Sequence, residues 1–470
     1  MKLRPLSVAI AGVLLVAAPE AQADWHRVTA PGGASTDEVS LLRGGDGVLH
    51  VAWPIRSGPN TSDLRHTVIS PSGSVGATSP IQTAWAGIEN PALVQGADGL
   101  RVFFGGQRST DSQDPNNELN TALSPDGGAS WALQEGSIVP AGGQAYGSPV
   151  AAAIQPDGAP IQAWAGTLGT WVHRGVDPLV PIVDLQAPLG QYGYNTGLAA
   201  ADGRTVVAWY SNSATGRGVH AQDIGLDGNP SGPARVMPNT SNMTSGMLAR
   251  TPIVARPGGG FYVAYPTGNP ELNRIRLWSV GSGSARTIAR TDDDAYATVA
   301  AAADGRLWVV WTDTDEGNDH VLATRSNASA SRFGAVVEAG RPGGTTQAYS
   351  LNGSDAPNGT PAGGALDLLA NYSIGTSART ATYVTRILPG LTLTASPRRL
   401  DRDDATEVTF TVTDAGDPVE GARVSARGRS DRTDEDGHAT LELTGSSQAV
   451  TARATLRGYT RATLKLRSRN

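Results

Sequence analysis

The stretch Asp304-Gly-Arg-Leu-Trp-Val-Val-Trp311 joins a turn dipeptide to a run of bulky apolar residues. Asp-Gly favours a tight turn, and a short β-branched and aromatic run after such a turn is typical of a buried β-strand. The pattern returns along the chain, and the copies end on aromatic residues: Trp53, Phe104, Trp164, Trp209, Tyr265, Trp311 and Tyr372. Their mean spacing of about fifty residues is the period of a propeller blade. The pattern therefore predicts an all-β repeat fold.

Every unit except the last contains four strand segments. A strand of small residues, such as Pro149-Val-Ala-Ala-Ala153, comes first and suits the crowded position nearest the axis. The aromatic strand, a third strand and a fourth strand follow, which predicts a β-propeller. Seven units are present, so seven blades are favoured and six are the alternative. The last unit lacks a fourth strand, and we expect His26–Pro31 to supply it and remove an open sheet edge.

The N-terminus and the composition indicate the compartment. Residues 1–23 contain Lys2 and Arg4, an apolar run from Leu6 to Ala18 and the small-residue site Ala21-Gln-Ala23, which predicts a secretory signal peptide. The apolar run is too short for a transmembrane anchor. We therefore expect a secreted protein, either extracellular or associated with the cell surface. It has no cysteine, and its net charge of -6 argues against a nucleic-acid partner.

One turn carries a more specific motif. Ser124-Pro-Asp126-Gly-Gly128-Ala-Ser-Trp131 matches the pattern Ser-x-Asp-x-Gly-x-x-Trp at every position. In such a turn the aspartate accepts backbone N–H bonds, glycine permits a positive φ, and the tryptophan packs beneath. The motif resembles the Asp box of the sialidase and BNR-repeat superfamily. This resemblance covers most of residues 24 to 388 and implies a glycan-directed propeller, with the box as a structural element on the rim.

Candidate site residues come from one face of the predicted propeller. The loops that lead into the first strands, and those that join second to third strands, meet there around the central channel. Tyrosine recurs at the starts of the first strands and suits stacking on sugar rings. Packing inside the channel is the alternative role for these tyrosines. The residues at these starts are Asp37, Glu38, Glu89, Asn90, Tyr146, Tyr194, Asn195, Arg250, Tyr296 and Tyr349.

The sialidase resemblance implies a specific set of catalytic groups. Sialidases clamp the substrate carboxylate with three arginines and use a tyrosine nucleophile paired with a glutamate. Arg250-Thr-Pro252 resembles the Arg-x-Pro motif that supplies one such arginine, and no second copy is present. The resemblance implies catalytic roles for Glu89, Tyr296 and Tyr349, and substrate-binding roles for Arg250, Arg56, Arg108, Tyr146 and Tyr194. Arg217 lies on a further second-to-third loop.

Two functions therefore remain open. One is a sialidase-like glycoside hydrolase, and the other is a non-catalytic carbohydrate-binding, protein-binding or adhesion scaffold. The expected partner is an extracellular glycan or glycoprotein, and the sequence does not define the oligomeric state. The incomplete arginine clamp leaves open whether the protein is an enzyme at all.

No cofactor is expected, although calcium is left open. Two acidic loops, Asp111–Asp114 with Glu118 and Asp313–Asp319, contain clustered carboxylates, but the second lacks the spacing of an EF-hand loop. Solvated loops are favoured over metal sites. Zinc is disfavoured because cysteine is absent and the seven histidines show no ligand spacing.

The sequence changes character after residue 388. Alternating strands at Glu407–Thr413 and Ala439–Leu443 predict a small β-sandwich over residues 389–470. Pro418–Val424, followed by Thr433–Gly437, resembles Ig-like and carboxypeptidase-regulatory-like modules, which share a transthyretin-like sandwich, in secreted bacterial proteins. Such modules usually act as spacers or attachment domains. The predicted segments are 1–23, 24–388 and 389–470.

Overall fold

A computed structural model describes most of the chain. The described residues are 24–31, 39–109, 118–138, 150–166, 169–185, 193–213, 216–241, 250–268, 271–291, 295–355, 364–375, 379–402 and 404–468. Their regular structure consists of 37 β-strands without a helix, so the all-β prediction is confirmed. Within these residues there is accordingly no helical segment with the length and apolar character needed to cross a membrane.

Seven four-stranded antiparallel sheets make up the larger part of the described structure. The first strand of the chain, β1 (His26–Arg27), belongs to the last of them. Sheet 1 contains β2 (Ser40–Arg43), β3 (Leu49–Gly58), β4 (Thr61–Ile69) and β5 (Ser79–Trp85). Sheet 2 contains β6 (Gly87–Gly96), β7 (Gly99–Gln107), β8 (Glu118–Ser124) and β9 (Ala132–Leu133). Sheet 3 contains β10 (Val150–Ile154), β11 (Pro160–Gly166), β12 (Gly169–Arg174) and β13 (Val183–Asp184).

The remaining four sheets of this series repeat the arrangement. Sheet 4 contains β14 (Gly193–Ala201), β15 (Arg204–Ser211), β16 (Gly218–Ile224) and β17 (Arg235–Val236). Sheet 5 contains β18 (Ile253–Ala255), β19 (Phe261–Thr267), β20 (Arg274–Ser279) and β21 (Ala285–Arg290). Sheet 6 contains β22 (Ala297–Ala301), β23 (Leu307–Asp315), β24 (Asn318–Arg325) and β25 (Val337–Gly340). Sheet 7 contains β26 (Thr345–Asp355), β27 (Leu366–Ile374), β28 (Thr380–Ile387) and β1.

The repeating sequence pattern maps onto these sheets as predicted. Each aromatic that ends a copy of the pattern lies in the second strand of its sheet and is buried. The turn before β23 is held by Asp304, whose Oδ1 accepts a hydrogen bond from the Arg306 N–H at 3.0 Å. The small residues of β10 pair with β11 on the inner side of sheet 3. The four-stranded antiparallel sheets are therefore of the propeller-blade type.

The first strands of the seven sheets form a closed ring. Each first strand contacts the next in the order β2, β6, β10, β14, β18, β22, β26, and β26 contacts β2. The N-terminal strand completes sheet 7, since His26 pairs with Val384 and Arg27 with Tyr383. The Thr382 N–H also donates to Thr29 Oγ1 at 2.9 Å. The prediction that the N-terminus supplies the missing fourth strand is confirmed.

Two further sheets form the C-terminal part. The first contains β29 (Thr392–Ser396), β31 (Thr406–Asp414), β32 (Asp417–Pro418) and β35 (His438–Leu443). The second contains β30 (Arg399–Leu400), β33 (Arg423–Ala426), β34 (Arg429–Arg432), β36 (Val450–Thr455) and β37 (Ala462–Ser468). Both sheets contribute to one apolar core that includes Phe410, Leu441 and Leu466. Burial alternates along β31, as the sequence pattern predicts.

The C-terminal part packs against sheet 6. Arg325 at the end of β24 forms a buried ion pair with Asp414 at the end of β31. Arg306 donates to Asp417 at 2.7 Å. We call these four residues the junction. They give the two parts of the chain a charged, largely buried contact.

Candidate functional site

The structure brings several predicted site residues to the inner ring of first strands. Glu89 lies in β6 of sheet 2, Arg250 lies three residues before the start of β18 in sheet 5, and Tyr296 directly precedes β22 of sheet 6. We call Glu89, Asn90, Asn195, Arg250 and Tyr296 the mouth. These residues come from four different sheets and from positions that the sequence repeat places in register.

The backbone at the mouth is irregular at two corresponding positions. The register of β6 with β7 shifts after Glu89, and the register of β14 with β15 shifts after Tyr194. Asn90 and Asn195 lie within these irregularities and have φ of 56° and 55°. This left-handed region is one that asparagine tolerates better than most residues. Bulges of this kind turn side chains away from their regular directions and are common near active sites.

Arg250 reaches across the ring. Its Nη2 donates to the carbonyl oxygen of Pro91, a residue of β6 that precedes it by 159 positions. Sheets 5 and 2 are not neighbours in the ring, so the half-buried arginine spans the space between them. Pro91 is two residues from Glu89. The contact therefore brings a guanidinium group close to the strand segment that carries the glutamate.

Close packing of first strands supports this position. The Thr251 N–H donates to the Asn195 carbonyl at 2.7 Å. At Gly197, an added Cβ would lie 1.9 Å from the Thr251 carbonyl oxygen. Only glycine fits at that distance, since the backbones of β14 and the segment before β18 approach directly. The chain before Arg250 is thus fixed against sheet 4.

Tyr296 is partly a packing residue. Its backbone N–H donates to Thr312 Oγ1 at 2.9 Å, and its carbonyl accepts from the Thr312 N–H at 3.0 Å. The half-buried side chain packs against two apolar clusters, one in sheets 4 and 5 and one in sheets 6 and 7. This combines a position at the mouth with the packing role that the sequence left open. A catalytic role for Tyr296 stays a prediction.

The other predicted tyrosines are less fully defined. Tyr194 lies in β14 and Tyr349 in β26, where the register with β27 shifts on both sides of Ala348. Tyr194 lies at the start of its strand, as predicted, whereas Tyr349 lies in the middle of β26 because that strand begins at Thr345. The side chains of both are outside the described part. Tyr146 lies outside the described residues altogether. Their substrate-binding and catalytic roles stay predictions.

The second-to-third loop arginines have local contacts, and their substrate-binding roles stay predictions. Arg108 Nε donates to Glu118 Oε2 at 3.0 Å, and its guanidinium lies 5.1 Å from the centre of the Trp85 ring. Arg56 is exposed at the end of β3, opposite Ser62. The partners of Arg108 are thus Trp85 of sheet 1 and Glu118 of sheet 2. Arg217 donates to the Asn212 carbonyl within its own loop.

The second acidic loop has a structural role. Residues 313–319 form the β23–β24 hairpin, in which Asp319 Oδ1 accepts from Thr314 Oγ1 and Oδ2 accepts from the Ala348 N–H, both at 2.8 Å. This carboxylate therefore joins sheet 6 to sheet 7. Among the described residues no group of three or more histidine, aspartate or glutamate side chains could hold a metal ion. Asp111–Asp114 lies outside them.

The Asp-box sequence forms a tightly bonded turn between β8 and β9. Ser124 Oγ donates to Asp126 Oδ1 at 2.7 Å, and Asp126 Oδ1 also accepts from the Ser130 N–H at 2.9 Å. The Gly128 N–H donates to Ser124 Oγ at 2.7 Å. Hydrogen bonds from the Ser130 hydroxyl, the Ser130 N–H and Ser124 lower the pKa of Asp126 to about 2. The turn has the hydrogen bonding that its sequence predicts, and it lies at the opposite end of the strands from the mouth.

A buried histidine pair lies against this turn and was not anticipated from the sequence. His50 Nδ1 and His66 Nε2 are 3.2 Å apart, and the two rings stack. Trp131 meets His66 edge-on, with ring centres 5.3 Å apart. An added Cβ at Gly128 would lie 2.2 Å from His66 Cε1. The pair thus fixes the contact between sheets 1 and 2.

Burial controls the charge of this pair. It lowers the pKa of His50, and burial together with the charge of His50 lowers the pKa of His66 to about 4. Both rings are therefore neutral at pH 7, when one ring nitrogen donates and the other accepts. The pair therefore contributes to the packing between sheets 1 and 2.

Comparisons with known proteins are distant. No family model matches the sequence, and no curated protein matches it. Among solved structures, a protein of unknown function from Dyadobacter fermentans is similar over 77% of this chain and 99% of its own, with 12% identity and a TM-score of 0.46. A PL25 ulvan lyase bound to -[GlcA(1-4)Rha3S]- is similar over 77% and 96%, with 10% identity and a TM-score of 0.45. A GH43_1 enzyme from Xanthomonas citri complexed with xylotriose is similar over 78% and 90%, with 12% identity and a TM-score of 0.34.

These likenesses are too weak to assign an activity. The fold and the mouth define the class of the protein: an all-β chain of propeller-type four-stranded sheets with charged and aromatic residues at the inner ring. Its function is therefore argued from its own residues.

Proposed function

We propose that the chain is a secreted, glycan-directed protein made of a signal peptide (1–23), a seven-bladed β-propeller (24–388) and an Ig-like β-sandwich (389–470). The closed ring of seven first strands supports the blade number. The two C-terminal sheets around one apolar core support the sandwich. The short basic and apolar segments before Asp24 support secretion.

The contact between Arg250 and Pro91 carries the proposed site. It brings a guanidinium from sheet 5 to the strand of sheet 2 that contains Glu89. Tyr296 lies at the corresponding position of sheet 6, beside sheet 5. A carboxylate and a guanidinium bind sugar hydroxyl groups as acceptor and donor, and a tyrosine ring offers an apolar face. The mouth therefore has the chemistry of a saccharide-binding site.

Binding without sialidase chemistry is the function that the arginines favour. A carboxylate clamp needs several guanidinium groups directed at one point. Arg108 instead pairs with Glu118, and Arg250 donates to a carbonyl of the ring. Arg56 is exposed on the hairpin of sheet 1. We therefore place a non-catalytic carbohydrate-binding scaffold first.

Sialidase-type hydrolysis is the second candidate. It is favoured by the position of Arg250-Thr-Pro252 at the start of a first strand, with Glu89 near the residue that Arg250 contacts. In that case Glu89, Tyr296 and Tyr349 supply the acid and phenol groups of the reaction. The two candidates share the mouth and differ in whether substrate is turned over.

A binding experiment tests the first candidate. The protein from residue 24 onward is screened on a glycan array, and each hit is titrated by calorimetry with the wild type and with Glu89→Gln and Arg250→Gln variants. We expect at least a tenfold loss of affinity in both variants, because each loses a charged group at the mouth. Arg453→Gln, at an exposed position of β36 in the C-terminal part, is the control with the same charge change as Arg250→Gln. No binding to any glycan, or equal affinity in all variants, would refute the proposal.

Turnover distinguishes the second candidate. The same proteins are incubated with a fluorogenic sialoside and with a panel of neutral glycosides. Hydrolysis by the wild type that falls at least a hundredfold in Glu89→Gln would establish an enzyme. Glycan binding without any turnover would leave the binding scaffold as the function.

A further inference from the structure

A polar cavity outside the mouth lies between sheets 4 and 5, and we call it the arginine cavity. Its volume is about 420 Å³, within the range typical of small-molecule sites. Sheet 4 contributes residues that follow β17, and sheet 5 contributes the ends of β19 and β20. The lining residues are Asn239, Ser241, Thr267, Gly268, Arg274 and Arg276. None of them is acidic.

The register of sheet 5 brings the two arginines together. Arg274 and Arg276 are two residues apart on β20 and therefore project from the same face. Their partners on β19 are Thr267 and Tyr265, which share that face. A register shift between Ile275 and Arg276 interrupts the pairing of β20 with β21. Such a bulge changes the direction of nearby side chains and often lies next to a binding site.

Both guanidinium groups have unused donors. The Nε atoms of Arg274 and Arg276 are buried and have no hydrogen-bond partner within the described part of the chain. Arg276 Nη1 donates to the Ala285 carbonyl at 3.2 Å, which holds its head group in place. The buried hydroxyl of Tyr265, opposite Arg276, also lacks a partner there. Unsatisfied buried donors are costly, and an acceptor in the cavity would relieve the cost.

The local charge is unbalanced as well. In sheet 4, Arg204 and Arg235 share the carboxylate of Asp223. Arg274 and Arg276, in contrast, form no ion pair with any carboxylate of the described residues. Arg290 lies directly opposite Arg274 on β21 and adds a third positive charge. Like charges at opposed strand positions destabilise a sheet unless a counter-charge is present.

We propose that the arginine cavity binds an oxyanion, namely a carboxylate or sulfate group. Such a group accepts several charge-assisted hydrogen bonds from guanidinium donors. Asn239, Ser241 and Thr267 add neutral donors around it. The cavity has room for more than the anion itself, so the anion can be attached to a saccharide. The proposal is independent of the mouth, because it uses different residues on different strands.

Titration with defined anions tests this site. The protein from residue 24 onward is titrated by calorimetry with sodium sulfate, sodium glucuronate and glucose, with ionic strength held constant by sodium chloride. We expect saturable millimolar or tighter binding of sulfate and glucuronate and none of glucose. A glucuronate affinity at least tenfold above that of sulfate would show that the site takes a saccharide-borne carboxylate. Comparable affinities would show a site for the free anion.

Variants connect the binding to the cavity. Arg274→Gln and Arg276→Gln are each expected to weaken anion binding at least tenfold, while Arg453→Gln, at an exposed position of β36, leaves it unchanged. Circular dichroism and thermal melting establish that each variant is folded. The proposal is overturned if neither anion binds more than chloride does, or if both cavity variants bind as the wild type does. Unchanged anion binding in Arg250→Gln would separate this site from the mouth.

Discussion

Two boundaries between sheets contain arginines with buried donors, and they differ in whether a described carboxylate pairs with those arginines. At the junction, Arg325 and Asp414 form an ion pair in which the side chains are only 2% and 3% exposed. Tyr459 lies beside both, with its hydroxyl 3.4 Å from Asp414 Oδ2. In the arginine cavity, Arg274 and Arg276 have buried donors and no described carboxylate partner. At the junction a carboxylate balances the buried arginine, whereas in the arginine cavity no described carboxylate does so.

This difference distinguishes arginines that stabilise the fold from arginines that are suited to bind a ligand. A buried charge requires a partner, and a chain that supplies both partners uses them to fix two elements against each other. At the junction, the partners come from sheet 6 and from the C-terminal sheets, so the ion pair fixes the two parts together. In the arginine cavity the described residues supply only the positive partner. The missing negative partner is what a ligand would provide.

The largest effect is expected when the junction is broken. Asp414→Asn leaves the Arg325 guanidinium buried without its counter-charge, and such a change costs about 3–5 kcal/mol. Urea unfolding measured by tryptophan fluorescence should show this loss, because Arg325 lies 5.7 Å from the centre of the Trp308 ring. The transition of sheet 6 and the C-terminal sheets should move to lower urea.

A more exposed pair at the same junction is the matched control. Asp417 is 31% exposed and pairs with Arg306, so Asp417→Asn should cost less than about 1 kcal/mol. Replacing both buried partners, as in Arg325→Met with Asp414→Leu, should recover much of the stability lost in Asp414→Asn. Equal effects of Asp414→Asn and Asp417→Asn would contradict the role assigned to the buried pair.

The neutral His50–His66 pair is expected to make stability depend on pH. The pKa of His66 falls from 6.5 to about 4 on folding, so the unfolded state binds more protons between these values. Stability is therefore complete above pH 6.5 and decreases as the pH falls toward 4, by about 3 kcal/mol for this group. The Asp46 carboxylate opposes the effect of burial on His50, and Trp131 and Gly128 add no charge. None of the described groups that act on the pKa of His66 is an anion.

The difference between variants isolates this effect, because burial also lowers the pKa values of His173 and His220. Thermal melting of wild type and His66→Gln is compared from pH 4 to pH 7. The variant should be less stable at pH 7 and should lose less stability on acidification. His438→Asn, at an exposed position of the C-terminal part, should follow the wild-type curve. Parallel curves for His66→Gln and wild type would show that His66 does not cause the pH dependence.

Much of the fold could be predicted from the sequence because blade packing leaves a local signal. The buried aromatic of each second strand, such as Trp311, repeats in every unit, and an Asp-Gly turn like that at Asp304 precedes it in most units. Even the pairing of β1 with β28 followed from a missing strand and a matching segment at the other end of the chain. Short-range sequence patterns are sufficient to predict the fold where each unit repeats the same contacts.

The sites were less predictable because they depend on contacts between distant residues. The positions of Glu89, Arg250 and Tyr296 followed from the repeat, but the contact from Arg250 to Pro91 crosses 159 positions and depends on ring geometry. The pairing of Arg108 with Glu118 likewise did not follow from the sequence, and a substrate-binding role for Arg108 stays a prediction. The only local sequence signal of the arginine cavity that we find is the Arg-x-Arg alternation on β20. This alternation does not predict a cavity unless the contact of sheet 5 with sheet 4 is known.

The smallest effect on stability is expected in the arginine cavity, and its sign should differ from the loss of stability expected at the junction. Arg276→Gln removes a positive charge that no described carboxylate balances, so in anion-free buffer stability should change by less than about 0.5 kcal/mol or should rise. A ligand that binds the folded state stabilises it by RT ln(1 + [L]/Kd), which is about 2.7 kcal/mol at a hundredfold excess over Kd. Sulfate at constant ionic strength should therefore raise the melting temperature of the wild type and not that of Arg276→Gln. A large loss of stability in Arg276→Gln without any anion would mean that this arginine, like Arg325, belongs to the fold.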